Sequence, residues 1–354
     1  IDKLSIEMTN GVNSIVYIFH AEQNNEQLMI YHQGHSGGFI NGKSTINSFL
    51  RNGYSVMAFS MPLVGMNNQP TINIENIGPI KFFEHDQFKL LESENFSPLN
   101  YFFSPINHSL NYLDLNYNFK NYYMIGISGG GWTSTIYPAL DTRISKSFAV
   151  SGSLPIPLRV NPQDIGDYEQ LVPNFYNIAN YLELYVMSSY GHNREFIQVF
   201  NKYDPCCFSG TLFENYEKEL YDIVSKLNSG NFEIILDDTH RKHEISEFAL
   251  NSILKKIQTW SRIISDIDIV QKIRIRVKRN LGYRGWFYFR QGWSVYFAFI
   301  FAAINTLTVT YFLAIENYPF LKEIFPSFLH YIIIVPLIGI PFLVLIGYAH
   351  YKRT

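Results

Sequence analysis

Tyr122-Tyr123-Met124-Ile125-Gly126-Ile127-Ser128-Gly129-Gly130-Gly131-Trp132 is the stretch that decides the fold. A short apolar run of strand character ends in Gly-x-Ser-x-Gly and passes at once into Thr133 to Leu140, which reads as helix. A serine at such a strand-to-helix turn sits in a strained backbone conformation. Glycines at 126 and 130 are required because a β-carbon at either place would collide with the neighbouring element. The turn lifts the hydroxyl over the edge of a sheet, beside the first N–H groups of a helix. Glycine and serine are common, so the five-residue pattern alone says little; the strand before, the helix after and three successive glycines sharpen it. The bland alternative is a glycine-rich turn with an idle serine.

Outward from this turn, apolar runs of strand length recur at Ser14–Phe19, Leu28–His32, Tyr54–Phe59, Tyr122–Ile127, Ser147–Val150, Phe196–Phe200 and Phe232–Leu236. Stretches with helical spacing lie between or after them: Lys43–Arg51, Leu99–Leu113, Leu212–Leu227 and Glu244–Trp260. This alternation predicts an α/β fold with a mostly parallel sheet covered on both faces. Pro155, Pro157, Pro162 and Pro173 make Ser151–Asn174 irregular, and residues 152–195 are expected to hold a lid or insert.

Charge divides the chain. Residues 1–265 carry 18 Lys/Arg against 26 Asp/Glu, whereas residues 266–354 carry 10 against 4. The acidic first part has no nucleic-acid footprint, and no nucleic-acid partner is expected. Residues 266–293 read as a basic linker, with Lys272, Arg274, Arg276, Lys278, Arg279, Arg284 and Arg290. Residues 294–315 and 327–349 then run without a charge, each about the 20 residues a helix needs to cross a bilayer. The expectation is a two-helix transmembrane hairpin over 294–349. The connector Glu316–Pro326 holds a single lysine while the flanks are basic, so the hairpin ends and the body at 1–265 are expected on the cytoplasmic side of a membrane.

A serine hydroxyl needs a histidine base, a carboxylate to orient that base, and donors for a developing oxyanion. The acid should follow a late strand, and Phe196–Phe200 leads to Asp204-Pro205. Asp204 is the candidate, with turn initiator as its plain role. The histidine should stand between the last strand and the last helix, where Thr239-His240-Arg241-Lys242-His243-Glu244 offers two. His243, next to the helix expected from Glu244, is preferred, and His240 is the alternative. Asp237 and Asp238 are rival acids too near the histidines to reach a far ring nitrogen. The oxyanion donors are expected to be the amides of Gly129 and of His35, in Tyr31-His32-Gln33-Gly34-His35-Ser36-Gly37-Gly38. That loop lacks the Gly-Lys-Ser/Thr of a phosphate loop. The His32 and His35 side chains lack a third ligand at metal-site spacing, so no metal and no cofactor are expected. Cys206 and Cys207 are adjacent, give no disulfide framework and read as two buried thiols. Trp132, Met61, Leu63 and Met66 are candidates for an apolar pocket wall, with core packing the plainer role for Trp132.

Gly126-Ile127-Ser128-Gly129-Gly130, Asp204 and His243, in the chain order Ser, Asp, His, with the loop at Gly34-His35, resemble the α/β-hydrolase superfamily over about residues 10–262. The resemblance implies an eight-stranded, mostly parallel sheet and a covalent acyl-enzyme route. Gln33 stands between His32 and Gly34, a departure from the His-Gly-Gly-Gly loop of one esterase branch. The expectation is a membrane-anchored serine hydrolase, a carboxylesterase acting on a small-molecule or lipid ester. The alternatives are a serine peptidase of the same fold and a hydrolase-like scaffold without catalysis.

Overall fold

The strands of the computed structural model are β1 (Asp2–Glu7), β2 (Asn13–Phe19), β3 (Gln27–His32), β4 (Ser55–Phe59), β5 (Thr71–Ile74), β6 (Gly78–Lys81), β7 (Asn121–Ile127), β8 (Ile144–Val150), β9 (Glu195–Asn201) and β10 (Asn231–Asp237). Eight of them form one sheet in the order β1-β2-β4-β3-β7-β8-β9-β10, while β5 and β6 make a separate hairpin. The β1/β2 and β2/β4 pairs are antiparallel, and every other pair of the large sheet is parallel. The structure describes residues 1–258, 308–315, 317–335 and 337.

Local sequence explains each layer. β4 is buried at every position and β7 at all but its first, as strands covered on both faces must be. One face packs Tyr31, Val56, Ile125, Phe148 and Val199 under Ile46 and Phe49 of α1 (Lys43–Arg51) and Ala249 and Ile253 of the helix over residues 247–258. Towards β1 the other face packs Ile30, Met57 and Met124 under Ile106 and Leu110 of α2 (Asn100–Asn116). Towards β10 the same side is filled by Trp132 of α3 (Gly129–Leu140), Tyr176 of the short α4 (Pro173–Tyr176), Tyr185 of α5 (Tyr181–Ser189) and Leu220 of α6 (Glu217–Lys226), against Phe196 and Phe232.

Two differences from the sequence reading have plain causes. β1 lies outside the apolar runs of the sequence: its alternation of half-buried and exposed side chains is that of an edge strand. The expected insert at 152–195 is two things. Three short 3-10 turns, Ile156–Leu158, Pro162–Asp164 and Tyr168–Gln170, form the irregular part. α5 is an ordinary covering helix, begun by an Asn180/Glu183 capping box.

The sheet changes direction beside β3. The chain goes from β3 to β4 on one side and later returns to place β7 on the other. His32 pairs with Gly126 in register, so the loop after β3 and the turn after β7 leave the sheet side by side. That crevice at the carboxyl ends of the strands is where open α/β sheets bind ligands.

The chain divides into two units, Ile1–Ile264 and Ser265–Thr354. In the second, Tyr311, Ile315 and Tyr331 bury against one another with Leu321, Phe325, Phe328 and Ile332 packed around them. A turn of π-helix at Tyr311–Ile315, a short helix at Pro319–Ile324 and helical residues 328–335 frame this cluster. Among the described residues no helix is long and apolar enough to cross a membrane. The basic linker 266–293 and most of the expected spans, at 294–307 and 338–349, lie outside the described residues.

Candidate active site

Ser128 holds φ 58° and ψ −126°, a left-handed backbone that a non-glycine residue adopts only under constraint. The constraint is steric and comes from both sides. A β-carbon at Gly126 would lie 2.0 Å from the Gly130 carbonyl oxygen, and one at Gly130 would lie 2.0 Å from that of His32. The Ser128 amide donates to the Val150 carbonyl at 3.0 Å, and its own carbonyl accepts from Trp132 at 2.8 Å, starting α3. The side chain is left partly exposed at the first turn of the helix.

Asp204 and His243 come together from different loops. His243 Nδ1 lies 2.8 Å from Asp204 Oδ2. The same carboxylate oxygen accepts from the Ser151 hydroxyl at 2.9 Å and the Asn201 amide group at 3.3 Å, and Oδ1 accepts from the Cys206 amide at 2.8 Å. Burial pushes the Asp204 carboxyl up, but His243, the Cys206 amide and the Ser151 hydroxyl together hold it below the ordinary carboxylate value. His243 Nε2, on the far side of the ring, is buried and without a hydrogen-bond partner among the described residues.

Ser128 and His243 line one cavity of about 480 Å³ with His35, Ser36, Pro162, Gln163, Gly166, Asp167, Gln170, Cys206, Cys207 and Phe208. The described residues show no hydrogen bond between Ser128 Oγ and His243, a contact that in ligand-free enzymes often tightens only with substrate.

His240 stands elsewhere. Its Nε2 is 3.3 Å from Asp237 Oδ2 and its Nδ1 accepts from the Lys242 amide. Asp237 makes no hydrogen bond with His240 Nε2; it accepts from the amide and hydroxyl of Thr239 and from the Ser246 hydroxyl, which makes it the anchor of this turn. The helix expected from Glu244 begins at residue 247, four positions past His243.

The loop after β3 runs directly against the serine. A β-carbon on Gly34 would sit 2.6 Å from Ser128 Cβ and 3.2 Å from Oγ. Burial holds His32 down to about 4, so its neutral ring donates through Nδ1 to the Gln33 carbonyl at 2.9 Å and stacks on Phe59. His32 and His35 therefore part company. The His35 ring turns towards His85, Asp167 and Glu169, a group that spacing around His32 and His35 does not reveal.

Trp132 takes its plainer role, and the other pocket-wall candidates and the two cysteines are corrected. Trp132 is buried, donates from Nε1 to the Tyr176 hydroxyl at 2.8 Å and stacks on Phe103, so it belongs to the core. Met61 and Leu63 are buried and, like the more exposed Met66, do not line the cavity. Cys206 is exposed and Cys207 half-buried, at the cavity wall and not in the core. Ser151 and Asn201, which the sequence did not single out, complete the surroundings of Asp204.

No protein-family model matches the chain, and no curated protein matches it in sequence. Solved structures do. An esterase of Pyrococcus furiosus has a TM-score of 0.50 at 14% identity, over 73% of this chain and 90% of its own. Est1E from Butyrivibrio proteoclasticus has 0.47 at 13%, over 73% and 98%. The α/β hydrolase GrgF from a Penicillium species has 0.44 at 13%, over 73% and 96%. With the strand order and the turn at Ser128, the first of these likenesses gives residues 1–258 the α/β-hydrolase fold.

Proposed function

We propose that the protein is a serine hydrolase that cleaves a carboxylic ester through an acyl-enzyme on Ser128. The observation that carries this reading is the 2.8 Å pair of His243 Nδ1 with Asp204, which leaves His243 Nε2 unpartnered on the wall that also presents Ser128. In the proposed reaction Ser128 Oγ attacks the ester carbonyl while His243 Nε2 takes its proton. Asp204 holds the Nδ1–H tautomer and stabilises the imidazolium. The amides of Gly129 and His35 have no acceptor among the described residues and are the proposed donors to the oxyanion. The imidazolium then protonates the leaving alcohol, and water repeats the sequence to release the acid.

Gln163, Gln170, Ser36 and Asp167 make much of the cavity wall polar, with Phe208 and Pro162 its apolar part. This lining favours a short ester bearing polar groups over a long acyl chain. Turnover of p-nitrophenyl esters of graded length tests it: rates should peak at short chains, and a peak at long chains would point to lipid esters.

The proposal includes a membrane anchor at 294–315 and 327–349, with the hydrolase unit on the cytoplasmic side. The uncharged runs support it, as does the mutual packing of Tyr311 and Ile315 with Tyr331 across a short connector. Retention in the membrane pellet after alkaline carbonate extraction is expected. Cleavage of the hydrolase unit by protease added outside sealed right-side-out vesicles would reverse the sidedness.

A further inference from the structure

Beside the cavity, four side chains from three separate segments point their donor atoms at one spot. They are His35 of the loop after β3, His85 at the start of the 3-10 turn His85–Leu91, and Asp167 and Glu169 of the insert, with ligand atoms all within 4.8 Å of one another. His35 Nε2 lies 2.9 Å from Asp167 Oδ2, 3.0 Å from Glu169 Oε1 and 3.1 Å from His85 Nδ1. His85 Nδ1 is in turn 3.0 Å from Glu169 Oε2. The Glu169 side chain is 0% exposed and that of His85 3%, whereas that of Asp167 is 50% exposed and opens the cluster to solvent.

Proton counting shows what this arrangement lacks. His85 Nε2 lies 2.8 Å from the Pro62 carbonyl, which only accepts, so that nitrogen carries a hydrogen. A neutral His85 then aims the lone pair of Nδ1 at a carboxylate oxygen and at His35. The single N–H of His35 Nε2 faces three acceptors at once. Two carboxylates, one of them fully buried, need positive charge at the centre of the group. Without a cation, either the buried Glu169 must carry a proton and donate it to His85 Nδ1, or both imidazoles must be protonated with two N–H groups facing one another at 3.1 Å.

We propose that His35, His85, Asp167 and Glu169 form a binding site for a divalent cation of the zinc class. Two imidazole nitrogens and two carboxylate oxygens suit such an ion. Bonds of about 2.0–2.1 Å in a tetrahedron put neighbouring ligands roughly 3.3 Å apart. The four close contacts of 2.9 to 3.1 Å need to widen by a few tenths of an ångström, and the remaining ligand pairs lie within 4.8 Å. The His85 hydrogen bond to Pro62 is the outer contact that fixes the tautomer of a metal-ligating histidine.

The bound ion ties the insert to the loop after β3. His35 is the joint: its Cε1 would touch a β-carbon on Gly129 at 2.3 Å, so fixing this ring fixes the loop beside Ser128. That positioning role rests on the hydrolase reading; cation binding does not.

The test uses the full chain, purified without chelators, stripped with a chelator and titrated with zinc and with cobalt(II). One equivalent of zinc is expected to bind and raise the melting temperature. Bound cobalt(II) should show the visible bands of a tetrahedral nitrogen and oxygen site without sulfur-to-cobalt charge transfer. His85→Gln and Asp167→Ala should each weaken binding by about tenfold or more, and the Cys206→Ser/Cys207→Ser double variant should leave it unchanged. Asp167 is half exposed, so its variant decides should His85→Gln fail to fold. Absence of stoichiometric binding to the folded chain overturns the proposal, as does full affinity in Asp167→Ala or a thiolate band lost with the cysteines. Because the titration reads binding without turnover, its failure is separable from failure of the esterase reading.

Discussion

His243 Nδ1 and Asp204 Oδ2 lie 2.8 Å apart although 39 positions separate them in sequence. One stands after β9 and the other after β10, and those strands pair in parallel register up to Leu236 with Phe200 and Asp237 with Asn201. Parallel pairing sends both loops off the same edge of the sheet, which is also the edge where β7 delivers Ser128. The convergence is thus a product of topology.

Asp204→Asn keeps the shape of the carboxyl but reverses the hydrogen bond to His243 and favours the wrong tautomer. Its kcat on a short p-nitrophenyl ester should fall by about 10³–10⁴-fold, while His240→Ala should stay within a few-fold of wild type. Equal losses in the two variants would contradict the pairing with His243.

Acid should unmask the same carboxylate. Its pKa in the fold lies below the ordinary value, so across that window the unfolded chain binds more protons than the folded one. The stability it contributes is present above the unfolded carboxylate pKa of about 3.9 and is lost as pH falls through the lower folded value. Urea unfolding between neutral and acid pH should show a shallower loss in Asp204→Asn than in wild type.

Two glycines separate folding from chemistry. At Gly130→Ala the new carbon meets the His32 carbonyl oxygen at 2.0 Å, backbone against backbone, and the fold should lose about 3 kcal/mol or more. At Gly34→Ala it meets Ser128 Cβ at 2.6 Å and the Ile127 carbonyl oxygen at 2.7 Å, a looser clash than at Gly130 that falls on the serine turn itself, so the serine shifts. The chain should remain folded by circular dichroism with kcat down roughly 100-fold.

Trp132→Phe removes the hydrogen bond to the Tyr176 hydroxyl and leaves most of the stacking on Phe103. Stability should drop by about 1 kcal/mol in denaturant unfolding, with KM unchanged. A raised KM at unchanged stability would return this ring to the substrate pocket.

How much of this the residues announce depends on the range of the forces involved. The turn at Ser128 is legible because Gly126 and Gly130 answer to contacts within a few positions. Asp204 and His243 are legible because a parallel sheet fixes where late loops end. β1 hid because Lys3, Ser5 and Glu7 alternate with Asp2, Leu4 and Ile6, the mark of an edge strand and not of an apolar run. α5 hid behind the prolines of the insert, although Asn180 and Glu183 carried its start signal. The meeting of His85 with Glu169, 84 positions apart, depends on how two irregular segments fold over the sheet edge, and no spacing rule reaches that far.

The most direct measurement is covalent labelling of the full chain by a fluorophosphonate probe, read by intact mass. Wild type should take up one probe, on Ser128, and Ser128→Ala none, with His243→Ala labelled far more slowly and His240→Ala at the wild-type rate. A folded wild-type chain that stays unlabelled, or a Ser128→Ala chain that labels as well as wild type, would contradict a nucleophilic serine at this turn.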